Sequence, residues 1–378
     1  MGSFVVGTRG QIKIQVLTRV IAGEIAQKKA RQLLKISERT LRRWLIKYKQ
    51  KGMGFLVHGN KGRKPINAKP LELKYQITHL VRTEFYDFNM THCLEKLRET
   101  MPVSFSRETF RKWCHQSKLV KNMHRRRRKK IRYKRQRFSQ FGFLLQLDGS
   151  HHRWFNNEES CLIAVIDDAT SKVLSGLFFD QETTSGTFAV LKKIFEHYGL
   201  PSILYVDRAG VYGGIKRHNF SQLVRALEEL QVQIVYADSP EGKGRVERLC
   251  KTLQDRLLPE MRKAGIKDKA SANKYLNEIY LPHLHNARFS VIPQDLKPAW
   301  REVPRNINIH EVLCIKEYRR VANDHTFSFK NNTYLITTDL KYAINNHDIE
   351  VRINDHQQME VSFAGRALSF KKIERKNF

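Results

Sequence analysis

The 378-residue sequence has few cysteines, and they are dispersed along the chain. Five occur, with no CxxC spacing among them: Cys93, Cys114, Cys161, Cys250 and Cys314. This pattern favours a reduced protein with neither a disulfide framework nor a structural zinc site. Long apolar runs are also missing, because no window reaches the roughly 18 consecutive apolar residues of a membrane span. Residues 1–10 lack the basic-then-apolar order of a signal peptide, so we expect a cytoplasmic protein without membrane contact.

Acidic residues are scarce as well. The chain has 69 Lys+Arg against 37 Asp+Glu, a net charge of +32, which favours a polyanionic partner over a merely basic, ribosome-like protein. Thr109–Leu147 contains no Asp or Glu, and Arg125–Arg137 within it is almost entirely basic. Such a run cannot join a core, so residues 121–140 are interpreted as an extended linker lying along phosphates, the alternative being a solvated linker with no role. Its candidate DNA contacts are Arg125, Arg126, Arg127 and Arg128.

One short pattern occurs twice near the N-terminus. Ser37–Trp44 reads SERTLRRW and Ser106–Trp113 reads SRETFRKW. In both, Ser can cap a helix, apolar residues recur at helical spacing and the other face is basic. Each follows a shorter helix and a turn, which predicts helix-turn-helix domains at 1–60 and 66–120, although any small charged bundle would look similar. The predicted DNA contacts on these helices are Arg39, Arg42, Arg43, Lys47, Arg107, Arg111 and Lys112. The Gly- and Pro-rich stretch from Lys51 to Pro70 indicates a linker.

Residues 141–300 are predicted to form a mixed α/β core. Strands are expected at 143–147, 161–166, 172–179, 202–206 and 232–237, and helices at 183–198, at 218–230 and from about 240. This βββαβαβα order, with three meandering strands before alternation begins, is typical of an RNase H-like fold. Alternating segments and Asn-containing turns predict a small β-barrel at 305–378. The expected fold class is therefore a multidomain α/β protein with tandem helix-turn-helix domains.

Three carboxylates stand out within this core. Asp148 follows an apolar strand and precedes Gly149, and Asp207 ends the strand at 202–206. Glu247 lies roughly 80° from the centre of the last helix's apolar stripe, at the edge of its buried face. Attack on a phosphodiester can use two divalent metals held by carboxylates, so the three acids are candidate metal ligands. The alternative interpretation is that the two aspartates cap turns and that Glu247 is a surface residue paired with lysines. The basic residues of this helix that are predicted to hold phosphate are Lys243, Arg245, Arg248 and Lys251.

Other polar residues of the core are interpreted differently. Asp167 and Asp168 are adjacent acids at a predicted hairpin turn, so we assign them a structural role. His151 and His152 could contact DNA or a metal-bound water, or could lie at the surface. His283 and His285 have no cysteines at zinc spacing, so no metal site is predicted there.

Several motifs resemble one family. Residues 148–155 (DGSHHRWF), 166–170 (IDDAT), 239–248 (SPEGKGRVER) and 252–257 (TLQDRL) resemble the insertion-sequence transposases of the ISNCY type, in the retroviral integrase-like superfamily. The strings RRVAND at 319–324 and FAGRAL at 363–368 extend the resemblance over nearly the whole chain, and KGRVER is its most specific part. Arg153 and Glu241 depart from the family pattern. These departures put local DNA contacts in doubt but do not touch the three acids.

The resemblance implies a function. Asp148, Asp207 and Glu247 would be the catalytic DDE triad and bind two Mg²⁺ or Mn²⁺ ions per site. The enzyme would cleave transposon ends and join the freed 3′-hydroxyl to double-stranded target DNA, as a homodimer or larger oligomer in the bacterial cytoplasm, at the nucleoid. An RNase H-fold nuclease that does not join is one alternative, disfavoured by tandem sequence-reading domains. A non-catalytic DNA-binding regulator is the other, disfavoured by the intact triad.

Overall fold

The computed structural model describes most of the chain. The described residues are 8–56, 66, 68–102, 104–120, 135–155, 158–207, 222–236, 244–339, 343–353 and 358–373. The chain divides into two compact units, Met1–Tyr75 and Gln76–Phe378. In these described ranges no helix is both long and apolar enough to cross a membrane. All five cysteines are free and buried, so noncovalent packing stabilises both units.

The first unit contains three helices, α1 (Thr8–Ile21), α2 (Gln27–Leu34) and α3 (Glu38–Lys51). Their apolar sides meet in a small core in which Leu17, Ala30 and Leu41 are fully buried. Helix α3 begins where Ser37 Oγ accepts a hydrogen bond from the main-chain N of Thr40 at 3.3 Å. This bond satisfies one of the free N–H groups at a helix start, so the predicted serine cap is confirmed here.

The predicted linker after α3 is partly folded. Gly52–Leu56 forms a 3-10 helix, and the Phe55 ring lies 6.4 Å from Trp44 and 5.6 Å from Tyr48 between centroids. These aromatic contacts hold the chain against α3 for one further turn, which the glycines alone did not predict. Residues 57–65 and 67, the middle of the predicted linker, lie outside the described residues.

Three further helices follow, α4 (Leu71–Thr83), α5 (Met90–Thr100) and α6 (Arg107–Gln116). Asn89 Oδ1 caps α5 by accepting from the main-chain N of Thr91 at 3.0 Å and of His92 at 2.9 Å. Ser106 Oγ caps α6 by accepting from Thr109 N at 3.2 Å. The second copy of the repeated pattern therefore starts its helix with the same serine cap as the first.

A five-stranded sheet forms the centre of the second unit. Its strands are β1 (Leu144–Phe155), β2 (Glu158–Asp167), β3 (Val173–Phe179), β4 (Ile203–Val206) and β5 (Gln233–Tyr236). Their order across the sheet is β3-β2-β1-β4-β5. The first three strands form an antiparallel meander, whereas β4 pairs parallel with both β1 and β5. The central strands β1 and β2 are buried on both faces, which explains their nearly continuous apolar sequence.

Helices cover both faces of this sheet. On one face α7 (Thr184–Tyr198) and α8 (Gln222–Glu229) pack against Leu145, Leu147 and their neighbours. On the other face lie α9 (Gly244–Lys263), α10 (Lys269–Tyr275) and a π-helix (Leu276–Asn286), packed against Leu162 and Ala164. Because side chains alternate along a strand, residues of β1 can be assigned to one face or the other from these contacts.

The edge strand β3 is covered by asparagine side chains. Three amides bond its outward-facing backbone groups: Asn273 bonds Phe178, Asn277 bonds Gly176, and Asn286 bonds Val173. Each amide accepts from the N–H and donates to the C=O of its residue, at 2.7–3.5 Å. The wider winding of the π-helix, at slightly more than four residues per turn, keeps the second and third asparagines on one side.

The C-terminal part begins with α11 (Ala287–Phe289) and α12 (Ile309–Val312). Its strands are β6 (Ile315–Arg320), β7 (Thr326–Phe329), β8 (Asn332–Ile336), β9 (Asp348–Ile353), β10 (Met359–Phe363), β11 (Arg366–Leu368) and β12 (Phe370–Ile373). They form two sheets, β11-β10-β9-β6 and β12-β8-β7, which share a core around Phe327, Ile349 and Val361. In the described part of this region the sheets do not close into the predicted barrel, because their strands pack across a common core without pairing.

Candidate active site

Asp148 lies within β1 and not at its end. The predicted strand stopped at Leu147, but β1 continues to Phe155. The extension pairs antiparallel with β2, from Asp148 opposite Ala164 to Phe155 opposite Glu158. A hairpin partner on one side is enough to keep this more polar segment extended. The polar run DGSHHRW therefore belongs to the strand and not to a loop.

The Asp148 side chain is on the α9 face of the sheet. Its neighbours on the same face of β1 both bond to α9. Gln146 Oε1 accepts from the main-chain N of Val246 at 3.2 Å. Gln254 Nε2 donates to Ser150 Oγ at 2.9 Å. Asp148 is half-buried and lies between these two contacts, so α9 runs alongside it.

Asp207 directly follows β4, the parallel neighbour of β1. The register ends with Gln146 opposite Tyr205. Continued by two residues, it sets Asp148 beside Asp207. Residues in register on neighbouring strands project to the same face, and Asp207 is also half-buried. The continued register therefore predicts that the two carboxylates lie close together where β4 ends.

Glu247 lies in the first turn of α9. It precedes Gln254 by seven residues, or about two helical turns, so both lie on the same side of the helix. Those turns span about 10 Å, which corresponds to about three residues of a strand. Since Gln254 bonds Ser150, Glu247 lies at the level of Leu147, next to Asp148. Glu247 is half-buried, and by this count it lies on the same side of α9 as Gln254.

The three acids have the oxygen ligands that hard divalent cations bind, but their side chains are not arranged as a metal-binding site. Throughout the described ranges, no group of three or more His, Cys, Asp or Glu side chains is arranged to hold a metal ion. Carboxylate oxygens are nevertheless the ligands that Mg²⁺ prefers. Residues 208–221 after Asp207 and 237–243 before α9 lie outside the described residues.

Glu182 is an acid near β1 that sequence reasoning missed, and it lies on the face of the sheet opposite to that of Asp148. Its carboxylate lies against Gly149, where an added Cβ would collide with it, and its Oε2 is 3.5 Å from His151 Nε2. Burial raises the pKa of the nearby Cys161 to about 12, and the charges of Glu182 and Asp148 act in the same direction. Glu182 could not be predicted from a local pattern, because these contacts join residues far apart in the chain. The sequence contained one signal for it, the glycine after Asp148.

The adjacent acids Asp167 and Asp168 are both fully buried at the turn after β2. Asp167 accepts hydrogen bonds from Thr170 and from Gly142 N, and burial raises its pKa. These bonds agree with the predicted structural role. His285 is buried, and this burial, with the charge of Arg256, lowers its pKa to about 4.

The predicted DNA contacts on the two capped helices are all exposed: Arg39, Arg42, Arg43 and Lys47 on α3, and Arg107, Arg111 and Lys112 on α6. Arg42 pairs with Glu38 at 2.6 Å, and Arg111 pairs with Glu108 at 2.9 Å. A pair of this exposed kind is weak, so both guanidinium groups can exchange the carboxylate for a phosphate.

The remaining predicted DNA contacts differ in their surroundings. On α9, Arg248 and Lys251 are exposed, whereas Arg245 is held by the buried Asp168 at 2.6 Å. Arg125, Arg126, Arg127, Arg128 and Lys243 lie outside the described residues. The phosphate contacts predicted for α9 can therefore be placed only at its two exposed positions.

A family of helix-turn-helix domains matches residues 12–65, within the basic helical unit, which indicates a DNA-binding protein. The chain belongs to the transposase family. It is 30% identical over 386 aligned positions to the transposase y4bF of Sinorhizobium fredii (strain NBRC 101917 / NGR234), covering 99% of this chain and 83% of that protein. It is 28% identical over 366 positions to the transposase for insertion sequence IS1202 of Streptococcus pneumoniae, covering 86% of this chain and 77% of that protein.

The family resemblance inferred from the motifs is therefore confirmed, and membership makes the chain an enzyme of the polynucleotidyl transferase kind. Among solved structures, the dimeric, magnesium-bound catalytic core domain of HTLV-2 integrase is similar at 16% identity, with a TM-score of 0.29. That similarity covers 37% of this chain and 89% of the integrase chain.

Proposed function

We propose that this transposase is a DDE enzyme in which Asp148, Asp207 and Glu247 cut transposon ends and join the freed 3′-hydroxyl to target DNA. One observation carries the proposal. The β1–β4 register, continued by two residues, brings the two aspartates together, on the face where Gln146 and Ser150 bond α9. The continued register and the bonds to α9 support a single site that takes its three acids from separate segments of the chain.

The core is proposed to be RNase H-like. Three antiparallel strands followed by two parallel ones, in the order β3-β2-β1-β4-β5, support this assignment. The first strand then lies at the centre of the sheet, beside the fourth. This placement gives Asp148 a rigid position, because β1 is paired on both sides up to Gln146.

Two divalent cations are proposed to bind the three carboxylates, and when bound they would activate the attacking oxygen and neutralise charge at the phosphodiester. The protein's own part is to hold the carboxylates and the DNA. Arg248 and Lys251 flank Glu247 on the exposed side of α9 and are placed to bind phosphates next to the scissile bond. Both side chains would thereby orient the DNA strand without taking part in the chemistry.

The helical segments are proposed to read the terminal repeats. The family match to residues 12–65 supports this for α3, and the repeated capped helix with exposed Arg107, Arg111 and Lys112 supports it for α6. The basic segment at 121–140 would contact phosphates without reading sequence. Joining requires two DNA ends held together, so we propose at least a homodimer on DNA.

The test uses labelled duplex DNA with the element's terminal repeat, Mg²⁺ and a target plasmid. Wild-type protein is expected to yield nicked ends and joined products. Asp148→Asn, Asp207→Asn and Glu247→Gln are each expected to remove both products by at least about a hundredfold, because the carboxylates are needed together. All three should bind the terminal repeat with nearly wild-type affinity.

Glu278→Gln is the matched control, since Glu278 is an exposed acid of the same unit away from β1 and β4. It should cleave and join as the wild type does. A triad variant that still cleaves at the wild-type rate contradicts the role of that residue. Cleaved ends that are never joined would show a nuclease, and binding without cleavage in the wild type would show a regulator.

A further inference from the structure

The turn after β2 contains two neighbouring, fully buried acids with different partners. Asp167 bonds near its own turn, accepting from Thr170 N at 2.7 Å, from Thr170 Oγ1 at 2.6 Å and from Gly142 N at 2.9 Å. Asp168 reaches away from the turn. Asp167 is thus bonded locally, whereas its neighbour Asp168 joins segments that are distant in the chain.

Asp168 gathers three segments of the second unit. Its Oδ1 accepts from Gln146 Nε2 at 2.7 Å and from Arg245 Nη1 at 2.6 Å, and it also pairs with Arg135. Its Oδ2 accepts from Phe138 N at 3.0 Å. Both oxygens of this carboxylate are therefore occupied by β1, by α9 and by the end of the basic linker.

Two of these partners stand next to the candidate catalytic acids. Gln146 is two residues before Asp148, on the same face of β1, and Arg245 is two residues before Glu247 in α9. Gln146 also accepts from Val246 N at 3.2 Å, so it bonds both Asp168 and the first turn of α9. This network fixes the start of α9 against β1 at the level where Glu247 must meet Asp148.

The charge of Asp168 is essential to that arrangement. Its carboxylate bonds Arg245 at 2.6 Å and also pairs with Arg135, and both of these side chains are partly buried. Without the carboxylate, Arg245 and Arg135 would face each other as like charges in a partly buried site. The first turn of α9 would then move away from the linker and from β1.

We infer that Asp168 is the positioning residue of the metal site, holding Glu247 against Asp148 through Arg245 and Gln146. The inference rests on the proposed function, since it assumes that the acids bind a divalent cation. Residues that orient metal ligands without touching the metal typically change metal affinity by about 10- to 100-fold. Asp168 is expected to act in this range.

The experiment measures Mn²⁺ binding to the full chain without DNA, by the loss of the free-ion electron paramagnetic resonance signal. Asp168→Asn is expected to weaken Mn²⁺ binding by about tenfold or more. Arg245→Met should weaken it similarly, and Arg245→Lys should partly restore it because the positive charge is kept. Asp167→Asn is the matched control and should lower the thermal midpoint while leaving Mn²⁺ affinity within about twofold.

Each outcome decides between the possibilities. Folded Asp168→Asn protein that binds Mn²⁺ as the wild type does overturns the inference, as does an equal loss in Asp167→Asn. If Asp168→Asn does not fold, Arg245→Met decides, and unchanged affinity there has the same meaning. Unchanged Mn²⁺ binding in Asp148→Asn would instead overturn the proposed function itself, since the metal would then bind elsewhere.

Discussion

The two copies of the capped helix share a local structure but differ in their surroundings. Ser37 and Ser106 cap α3 and α6 through the same bond to the residue three positions on. Leu41 and Phe110, at matching positions, are both fully buried. The first copy contributes to the core of the small unit, whereas the second belongs to the unit that contains the sheet.

Charged contacts attach the second copy to α9 and its neighbours. Glu95 pairs with Arg256 at 2.8 Å and also with Arg288, and Asp87 pairs with Arg262 at 2.7 Å. These contacts are made by α5 and by the turn before it, and not by the basic residues of α6. The basic side of α6 therefore stays exposed. The comparison teaches that the repeated pattern determines a helix and its cap, while residues outside the repeat determine what the helix is attached to.

The largest expected effect comes from the buried centre of this attachment. Glu260 bonds His92 at 2.7 Å and Lys96 at 2.9 Å. Burial alone would raise the pKa of Glu260, but the bonds from His92 and Lys96 outweigh it and the pKa is lowered. Glu260→Gln should destabilise the larger unit by about 3 kcal/mol, because one partner of a buried pair is left uncompensated. The loss in the free energy of unfolding is measured by urea unfolding, with hydrogen exchange of the α5 amides as the probe.

The matching change in the small unit is Glu38→Gln. Glu38 pairs with Arg31 and Arg42 at the surface, so its loss should cost less than about 1 kcal/mol. Equal losses for Glu260→Gln and Glu38→Gln would show that the two copies are stabilised alike, against the contrast drawn from the contacts.

The next largest effect is a difference between the two units in how their free energies of unfolding depend on pH. His285 keeps a pKa of about 4 against an ordinary 6.5, so it stays neutral when folded while the unfolded chain binds a proton. Its contribution is therefore present above pH 6.5 and is lost as the pH falls toward 4. Between pH 7 and pH 5 the larger unit should lose about 2 kcal/mol, measured as the wild-type loss minus that of His285→Asn.

The small unit gives the internal reference, because His285 belongs to the larger unit and the helices of the small unit, residues 8–56, contain no histidine. Its unfolding free energy should be the same in wild type and His285→Asn at both pH values. A pH dependence of the larger unit that survives in His285→Asn unchanged would assign the acid sensitivity to other groups.

A smaller effect than that of pH concerns the caps themselves. Ser37→Ala and Ser106→Ala should each cost about 1 kcal/mol. The same free energy shifts the melting midpoint of a small unit more than that of a large one, so Ser37→Ala should show the larger shift by calorimetry. A larger shift for Ser106→Ala would mean that the second copy melts independently of the sheet.

Elements with strong local signals were predicted from the sequence within a few residues. The third strand was expected at 172–179 and is Val173–Phe179, and the helix expected at 183–198 is Thr184–Tyr198. Both are apolar, periodic and bounded by turn or cap residues. The π-helix was not predicted, because its winding depends on Pro282 and on asparagines that bond a strand about a hundred residues earlier.

The site was predictable only in part. Asp148, Asp207 and Glu247 were chosen as candidates from the strand order, the edge position in the last helix and the family resemblance, and their roles stay a prediction. The extension of β1 beyond Asp148 could not be predicted from the local sequence, because this segment is stabilised by pairing with β2. Gln146 offered one signal, as a polar residue inside an apolar strand. The roles of Glu182 and Asp168 depend on contacts between distant segments, which no local pattern contains.

The asparagines along β3 have a consequence for assembly. An edge strand with free backbone groups invites a strand from another molecule. Here the outward groups of Val173, Gly176 and Phe178 are already bonded by side-chain amides. These bonds leave no free backbone groups at the three positions for a strand of a second copy, so the proposed dimer on two DNA ends would have to form through other surfaces. The amides thereby protect the β3 edge of the sheet from strand addition.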